Sequence, residues 1–355
     1  MRNIDINKIK KSIGNGKVKI LLGPFSNSME RFLLQDVFNE FQSSKKIFVI
    51  NSDFPRDYLW KFLNDNIQDS SLFIINRLSL FENSDAIINM FSGKKTTDLI
   101  ASSNIDFTRS SELDSTKYRG RVQYIYFPPV LYDDFINSNG SQLLDYLRIL
   151  NLKTFDYIRD YKYCSQAKRI YEEINKQIGY PVSLNSVFSS SGVDVSINTF
   201  ISIFNYLNSH GFLYVINKID VKKMDLVKNY SYCYPTDVTS IINSIDKGSD
   251  VMNKVVETFI VAKLIHENNL VYKAVYRNSD SDPYNPLLNT FLVISNEKRY
   301  FLKLYFKDNP ASLERYEQYK ALYPKYLLVT NKMDAGMDKN GITYMNALEF
   351  LKKGI

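Results

Sequence analysis

The stretch that decides the fold runs from Leu21 to Glu30, LLGPFSNSME, between KVKI of 17–20 and the segment RFLLQDVFNEF of 31–41. An apolar run ending in Gly-Pro, a short polar loop and then an amphipathic segment give the order strand, phosphate loop, helix of a nucleotide-binding α/β domain. Set against G-x-x-x-x-G-K-[ST], Gly23 is in place, but Ser28 stands at the second Gly, Met29 at the Lys and Glu30 at the Mg²⁺-binding hydroxyl. The stretch predicts a strand-turn-helix that lacks the residues to hold a phosphate.

Outward from this stretch, residues 1–140 alternate strand-like and helix-like segments, the mark of a parallel sheet covered by helices. Strands are expected at 17–22, 46–51, 72–76, 98–102 and 122–127, with helices at 29–41, 56–66 and 84–91 from apolar residues spaced three and four apart. From about 143 to 176 the pattern is helical, and 182–215 reads as two helices and a β-wing. There Ile197, Phe200, Ile201, Phe204 and Leu207 share one helical face between the turn SSSGVD and Gly211, a helix-turn-helix pattern. The remainder offers a helix at 253–267, strands in LNTFLVIS and KRYFLKLYF, a helix at 312–322 and the strand YLLVT, which make a small α+β domain. The expected domains are 1–140, 141–229 and 230–355, with no internal repeat.

At 355 residues, with 45% hydrophobic and 23% charged residues, the chain has a globular composition and can bury more than one core. No run approaches 18 apolar residues, and 1–16 is polar and charged, so a cytoplasmic location is expected. Cys164, Cys233, His210 and His266 have no metal-ligand spacing, and no metal site is expected. The net charge of +7 permits contact with an acidic surface. Its clusters, at Lys8, Lys10, Lys11, Lys17 and Lys19, at Lys117, Arg119 and Arg121, at Arg159, Lys162, Lys168 and Arg169, and at Lys298, Arg299, Lys303 and Lys307, read first as solvated faces.

Several segments, in order, resemble the prokaryotic AAA-type ATP-binding proteins that carry a C-terminal winged helix and a restriction-endonuclease-like domain of the PD-(D/E)xK type. That family has a G-P-R-x-x-G-K-T loop, a Walker B D-E, a strand ending in T-G-S, a G-R-V strand and a P-L-S-F-x-E-F corner. This chain has LLGPFSNSME, LFIINRLSLF, LIASSN, RGRVQYIYF and PVLYDDF. Gly120, Arg121 and Val122 match outright; Pro129, Tyr132, Asp134 and Phe135 match by type and spacing. YPTDV, from Tyr234, is similar to the family's Y-F-x-D, and VVETFIVAKLI to its E-N-x-V-x-x-E-L helix.

The resemblance implies an AAA-like P-loop α/β domain, a winged helix and a nuclease-like α+β domain, and the departures from it concern function. Asn76 and Arg77 stand where the Walker B acids would follow the strand, removing the Mg²⁺ ligand and the water-orienting carboxylate. Met29 cannot neutralise phosphate and Glu30 repels it, so neither ATP nor Mg²⁺ is an expected cofactor. In the nuclease frame Glu257 is retained, Thr290 replaces the first strand acid, and Phe301-Leu302-Lys303 replaces E-x-K, leaving too few ligands for a metal-dependent cleavage. Both enzymatic signatures are degraded.

Between Lys176 and Lys218 the winged-helix segment has no Lys or Arg, although a groove-reading helix needs phosphate-contacting cations nearby. Nucleic acid, if bound, is expected weakly and without sequence preference, through Lys117, Arg119, Arg121, Lys168 and Arg169. The function expected is that of a catalytically degenerate scaffold or regulatory binding protein with a protein partner, with DNA permitted and no membrane. Two alternatives stand beside it: a clamp-loader-like assembly subunit without ATPase activity, and a still-active ATP- or DNA-binding protein with atypical Walker residues.

Overall fold

The computed structural model describes residues 3–23, 27–51, 53–67, 70–78, 81, 84–103, 120–127, 132, 135, 143, 145, 147, 161–209, 211–244, 250–267, 269–277, 285–295, 298–305, 313–314, 316–317, 323–330 and 335–355. The chain forms two compact units, one of 1–130, 152–161 and 206–212, the other of 131–151, 162–205 and 213–355.

In the first unit, helix α1 (Asn3–Ser12) precedes strand β1 (Val18–Leu22). A helical stretch follows, composed of α2 (Asn27–Arg31), a π-helical segment Phe32–Val37 and α3 (Phe38–Phe41). Then come β2 (Lys46–Ile50), α4 (Arg56–Asn66), β3 (Ser71–Ile75), α5 (Ser84–Phe91), β4 (Asp98–Ser103) and β5 (Val122–Tyr126). The five strands are all parallel and lie in the order β2-β3-β4-β1-β5. The unit is therefore an α/β domain with a parallel central sheet, and its strands fall within a residue of where the sequence puts them. β1 and β3 are buried at every position, and apart from Lys19 and Ser71 they are apolar throughout. In the helix after β1, the wider π turn brings Phe32 and Val37, five residues apart, into the same core with Met29, Leu33 and Phe41.

Lys19 departs from the solvated face expected of it. It is fully buried in β1 and donates to Asp98 Oδ1, while Lys45 Nζ donates to Oδ2 at 2.9 Å and Gly14 N to Oδ1 at 3.0 Å. Burial alone would raise the Asp98 carboxyl, but these three donors outweigh it and hold the group below its ordinary range.

The second unit begins among its described elements with α6 (Cys164–Lys176), α7 (Leu184–Ser191) and α8 (Ile197–Ser209), the last of which ends in the first unit. α6 buries the stripe Ala167, Ile170, Tyr171 and Ile174, and α7 stops at Gly192, whose φ of +58° is a left-handed cap. A hairpin follows, β6 (Leu213–Asp220) and β7 (Asp225–Pro235), with Val182 bridged to Ser231. Next are α9 (Thr239–Ser244), α10 (Asp250–His266), β8 (Leu270–Tyr276), β9 (Asn285–Ser295), β10 (Lys298–Tyr305), β11 (Lys325–Val329), β12 (Gly336–Met337), β13 (Ile342–Asn346) and α11 (Ala347–Lys353).

These strands form one mixed sheet, β12-β13-β11-β10-β9-β8-β6-β7. The hairpin is thus not a free wing: β6 pairs in parallel with β8, Lys218 opposite Lys273. β7 also runs across residue 229, where the sequence suggests a boundary. Among the described residues no helix is long and apolar enough to cross a membrane.

Candidate functional site

In a parallel sheet the C-terminal strand ends gather on one side, where α/β domains bind ligands. Here that side carries Gly23 after β1, Asn76 and Arg77 after β3, and Ser102 in β4. Gly23 is pressed against the end of β5: an added Cβ would lie 2.3 Å from the Phe127 carbonyl oxygen and 3.0 Å from Met29 Cε. Met29 is buried among Phe32, Leu33 and Phe127, so the position of a phosphate-neutralising Lys is filled by a thioether in the core. Ser28 lies in α2.

Glu30, Asn76 and Ser102 join in one network. Asn76 Nδ2 donates to Glu30 Oε1 at 3.3 Å, Ser102 Oγ donates to Asn76 Oδ1 at 2.9 Å, and the Arg77 backbone N donates to Ser102 Oγ at 2.7 Å. Arg77 adopts φ +61°, a left-handed conformation that turns the chain directly after β3. Glu30, which the sequence comparison sets at the place of a metal-binding hydroxyl, is a carboxylate hydrogen-bonded by the Asn76 amide. Ser102 is the partner that the sequence reading missed, although its stretch LIASSN carries the T-G-S likeness.

In the second unit, Glu257 of α10 is buried, and its Oε1 accepts from Lys273 Nζ at 2.8 Å and from Tyr234 OH at 2.7 Å. Gly179, at φ +87°, packs so near that a Cβ would lie 3.1 Å from Oε2. Lys273 Nζ also sits 4.0 Å from the Phe291 ring centroid and 4.8 Å from that of Tyr232. Burial, and then Glu257, push the Tyr234 hydroxyl well above its ordinary range, so it is a neutral donor. The YPTDV stretch thereby gains two roles: Tyr234 holds Glu257, and Asp237 Oδ1 accepts from Thr239 N at 2.9 Å and Thr239 Oγ1 at 2.6 Å at the start of α9.

Thr290 and Lys303 are placed elsewhere. They lie directly opposite each other on β9 and β10, whereas Phe291 pairs with both Leu302 and Lys273. Since opposed residues share a face and neighbours alternate, Thr290 and Lys303 occupy the face away from Lys273 and Glu257. Lys303 is buried beside the Tyr316 ring, 5.7 Å from its centroid, and is no part of a solvated cluster with Lys298 and Arg299. Burial, with Lys273 adding to it, pushes its ammonium down to about 8. The structure brings together Glu257 with Lys273, and Thr290 with Lys303, but does not bring Glu257 to Lys303. Among the described residues no three of His, Cys, Asp and Glu gather where they could hold a metal ion.

Of the residues read for nucleic acid, Lys117 and Arg119 lie outside the described residues, as do Pro129 and Asp134 of the PVLYDDF stretch. Arg121 is exposed and donates to Asn89 Oδ1 at 2.7 Å. Lys168 is exposed with Glu172 4.0 Å away, and Arg169 lies 3.8 Å from the Cβ position of Gly192. On α8, Ser196 Oγ accepts from Thr199 N at 3.2 Å and Ser202 Oγ donates to Asn198 O at 3.0 Å, so these hydroxyls already bond within their own helix.

No protein-family model matches the chain. No curated protein matches it either. Among solved structures the chain is similar to one in Drosophila ORC bound to AT-rich DNA and Cdc6, at 13% identity over 67% of this chain and 88% of that one, with a TM-score of 0.25. It is also similar to a RuvB mutant of Thermotoga maritima, at 14% identity over 59% and 88%, with a TM-score of 0.27. A third likeness is to the Orc1 protein of Aeropyrum pernix in complex with DNA, at 10% identity over 74% and 94%, with a TM-score of 0.28.

Proposed function

We propose that this chain is an AAA-like nucleotide-fold protein that acts by binding and not by catalysis. The observation that carries the reading is the Glu30–Asn76–Ser102 network, with Met29 buried under Gly23, at the strand ends where a nucleotide phosphate would be held. A phosphate brought there meets the Glu30 carboxylate, which repels it, and the buried thioether of Met29 where a phosphate loop has its lysine. Isothermal calorimetry with ATP and Mg²⁺ tests this: no heat of binding is expected, and a low-micromolar dissociation constant overturns it.

The winged-helix reading is supported by the order α6, Val182 bridge, α7, α8, hairpin, and the nuclease-like reading by the order α10, β8, β9, β10, helical residues 313–314 and 316–317, β11. Both serve as binding or packing modules in this proposal. α8 lacks any cation and exposes Ile197 and Ile201, one turn apart, which suits a protein surface better than a phosphate backbone. In the other module an internal ammonium, Lys273, satisfies Glu257 in place of a metal. No cleavage of plasmid or single-stranded DNA is expected with Mg²⁺ or Mn²⁺, and cleavage that disappears on Glu257→Gln overturns that part.

A further inference from the structure

The opposite end of the five-stranded sheet has a different character. Because β1 to β5 all run the same way, the loops entering them lie side by side, and backbone contacts stitch them together. Lys46 N donates to Ser70 O at 3.2 Å, Ser70 N to Thr96 O at 3.0 Å, Gly93 N to Gly16 O at 2.7 Å and Val18 N to Arg121 O at 2.9 Å. Along this seam stand six exposed cations: Lys11, Lys17, Lys46, Lys94, Lys95 and Arg121. Among the described residues the carboxylates at this end are Asp98, buried and bonded by Lys19 and Lys45, Glu40, paired with Lys10, and Asp65 on the last turn of α4.

We propose that this end of the sheet binds the sugar-phosphate backbone of nucleic acid. A lysine ending a helix, as Lys11 does, complements its dipole, but Lys17 and Arg121 lead into strands, Lys46 opens one, and they have no such reason to be there. Five strands at about 4.8 Å spacing make a row about 19 Å wide, enough to span several phosphates of a duplex. Gly93 and Gly120, both at positive φ, leave open space where a side chain would project, so a polyanion can approach the backbone closely. The large hydrophobics exposed in this unit, Val49 and Tyr58, lie towards the other end of β2 and α4, so no described residue at this end would anchor in a bilayer. This surface is remote from Glu30 and Asn76 and does not rest on the nucleotide-site reading.

Fluorescence anisotropy with a labelled duplex of about two helical turns tests the assignment across a salt series. The full chain is expected to bind at about 50 mM salt and to weaken steeply as salt rises. The variant Lys17→Gln/Lys94→Gln/Lys95→Gln/Arg121→Gln should bind at least about tenfold more weakly, with the slope of log K against log salt reduced by about 3 to 4, about 0.9 for each contact. The charge-matched control Lys222→Gln/Lys223→Gln/Lys352→Gln/Lys353→Gln should keep most of the affinity. An unchanged slope in the first variant, equal loss in the control, or binding of phosphatidylserine vesicles with no binding of duplex each overturns the proposal. Unfolding midpoints of both variants separate a lost surface from a lost fold.

Discussion

Glu257 and Lys273 are partners whose separate removal has different consequences from joint removal. Each is buried, and each leaves the other as an uncompensated charge if it is taken away. Glu257→Leu and Lys273→Met should each lower stability by about 3 to 5 kcal/mol, while the double change should cost clearly less than the sum. Urea unfolding of the four proteins checks this, and additive effects would show that the two charges do not interact. Glu257 was legible in the sequence because the likeness of its helix to a known motif drew attention to it. Lys273 was not, because LVYKAVY presents its lysine in an otherwise strand-like run with no local sign that the side chain points inward to a carboxylate 16 residues earlier in the chain.

At the scale of elements, the turn after β1 is fixed by contact and not by conformation. Gly23 needs no left-handed φ, but Phe127 O occupies the place of its Cβ, and Phe127 N is itself bonded to Leu22 O at 2.7 Å, so β5 cannot retreat. Gly23→Ala should therefore lower the thermal midpoint, at a cost of about 1 to 3 kcal/mol from the overlap. Gly336→Ala, with open space around it and an ordinary φ, should leave the midpoint within the error of the measurement. Strands β1 and β3 were legible because burial on both faces writes a largely apolar run into the sequence, and the closing Gly-Pro marked where the first of them ends. The π turn at 32–37 was not, because Leu33, Val37 and Phe41 keep a spacing of four and the extra residue per turn leaves no mark on it. Lys19 also escaped, since its partner Asp98 lies on another strand.

Across the whole molecule, pairings between segments distant in sequence are what periodicity cannot report, and the parallel contact of β6 with β8 is one of them. The buried charges share that property, and together they predict the pH dependence of stability. Asp98 titrates below its ordinary 3.8 when folded, so on acidification the unfolded chain takes up its proton first. Its contribution is present above about pH 4 and is lost below it. Lys303 falls from 10.5 to about 8 on folding. Between those values the unfolded chain holds more protons, so stability rises with pH, by an upper bound of roughly 3 kcal/mol at 1.36 for each pH unit. Buried Tyr171, Tyr234 and Tyr316 titrate above their ordinary 10, so the folded chain keeps their protons longer and stability declines as the medium passes that value. The urea midpoint should thus climb out of acid, climb again between about pH 8 and 10, and then fall. Lys303→Met should raise the midpoint at pH 7 and shrink the second climb, to which Lys19 and Lys273, also held below 10.5 by burial, contribute, and Asp98→Asn should shrink the first. A wild-type midpoint that is flat from pH 8 to 10, or a second climb undiminished in Lys303→Met, would mean that Lys303 is not held as a buried base on β10.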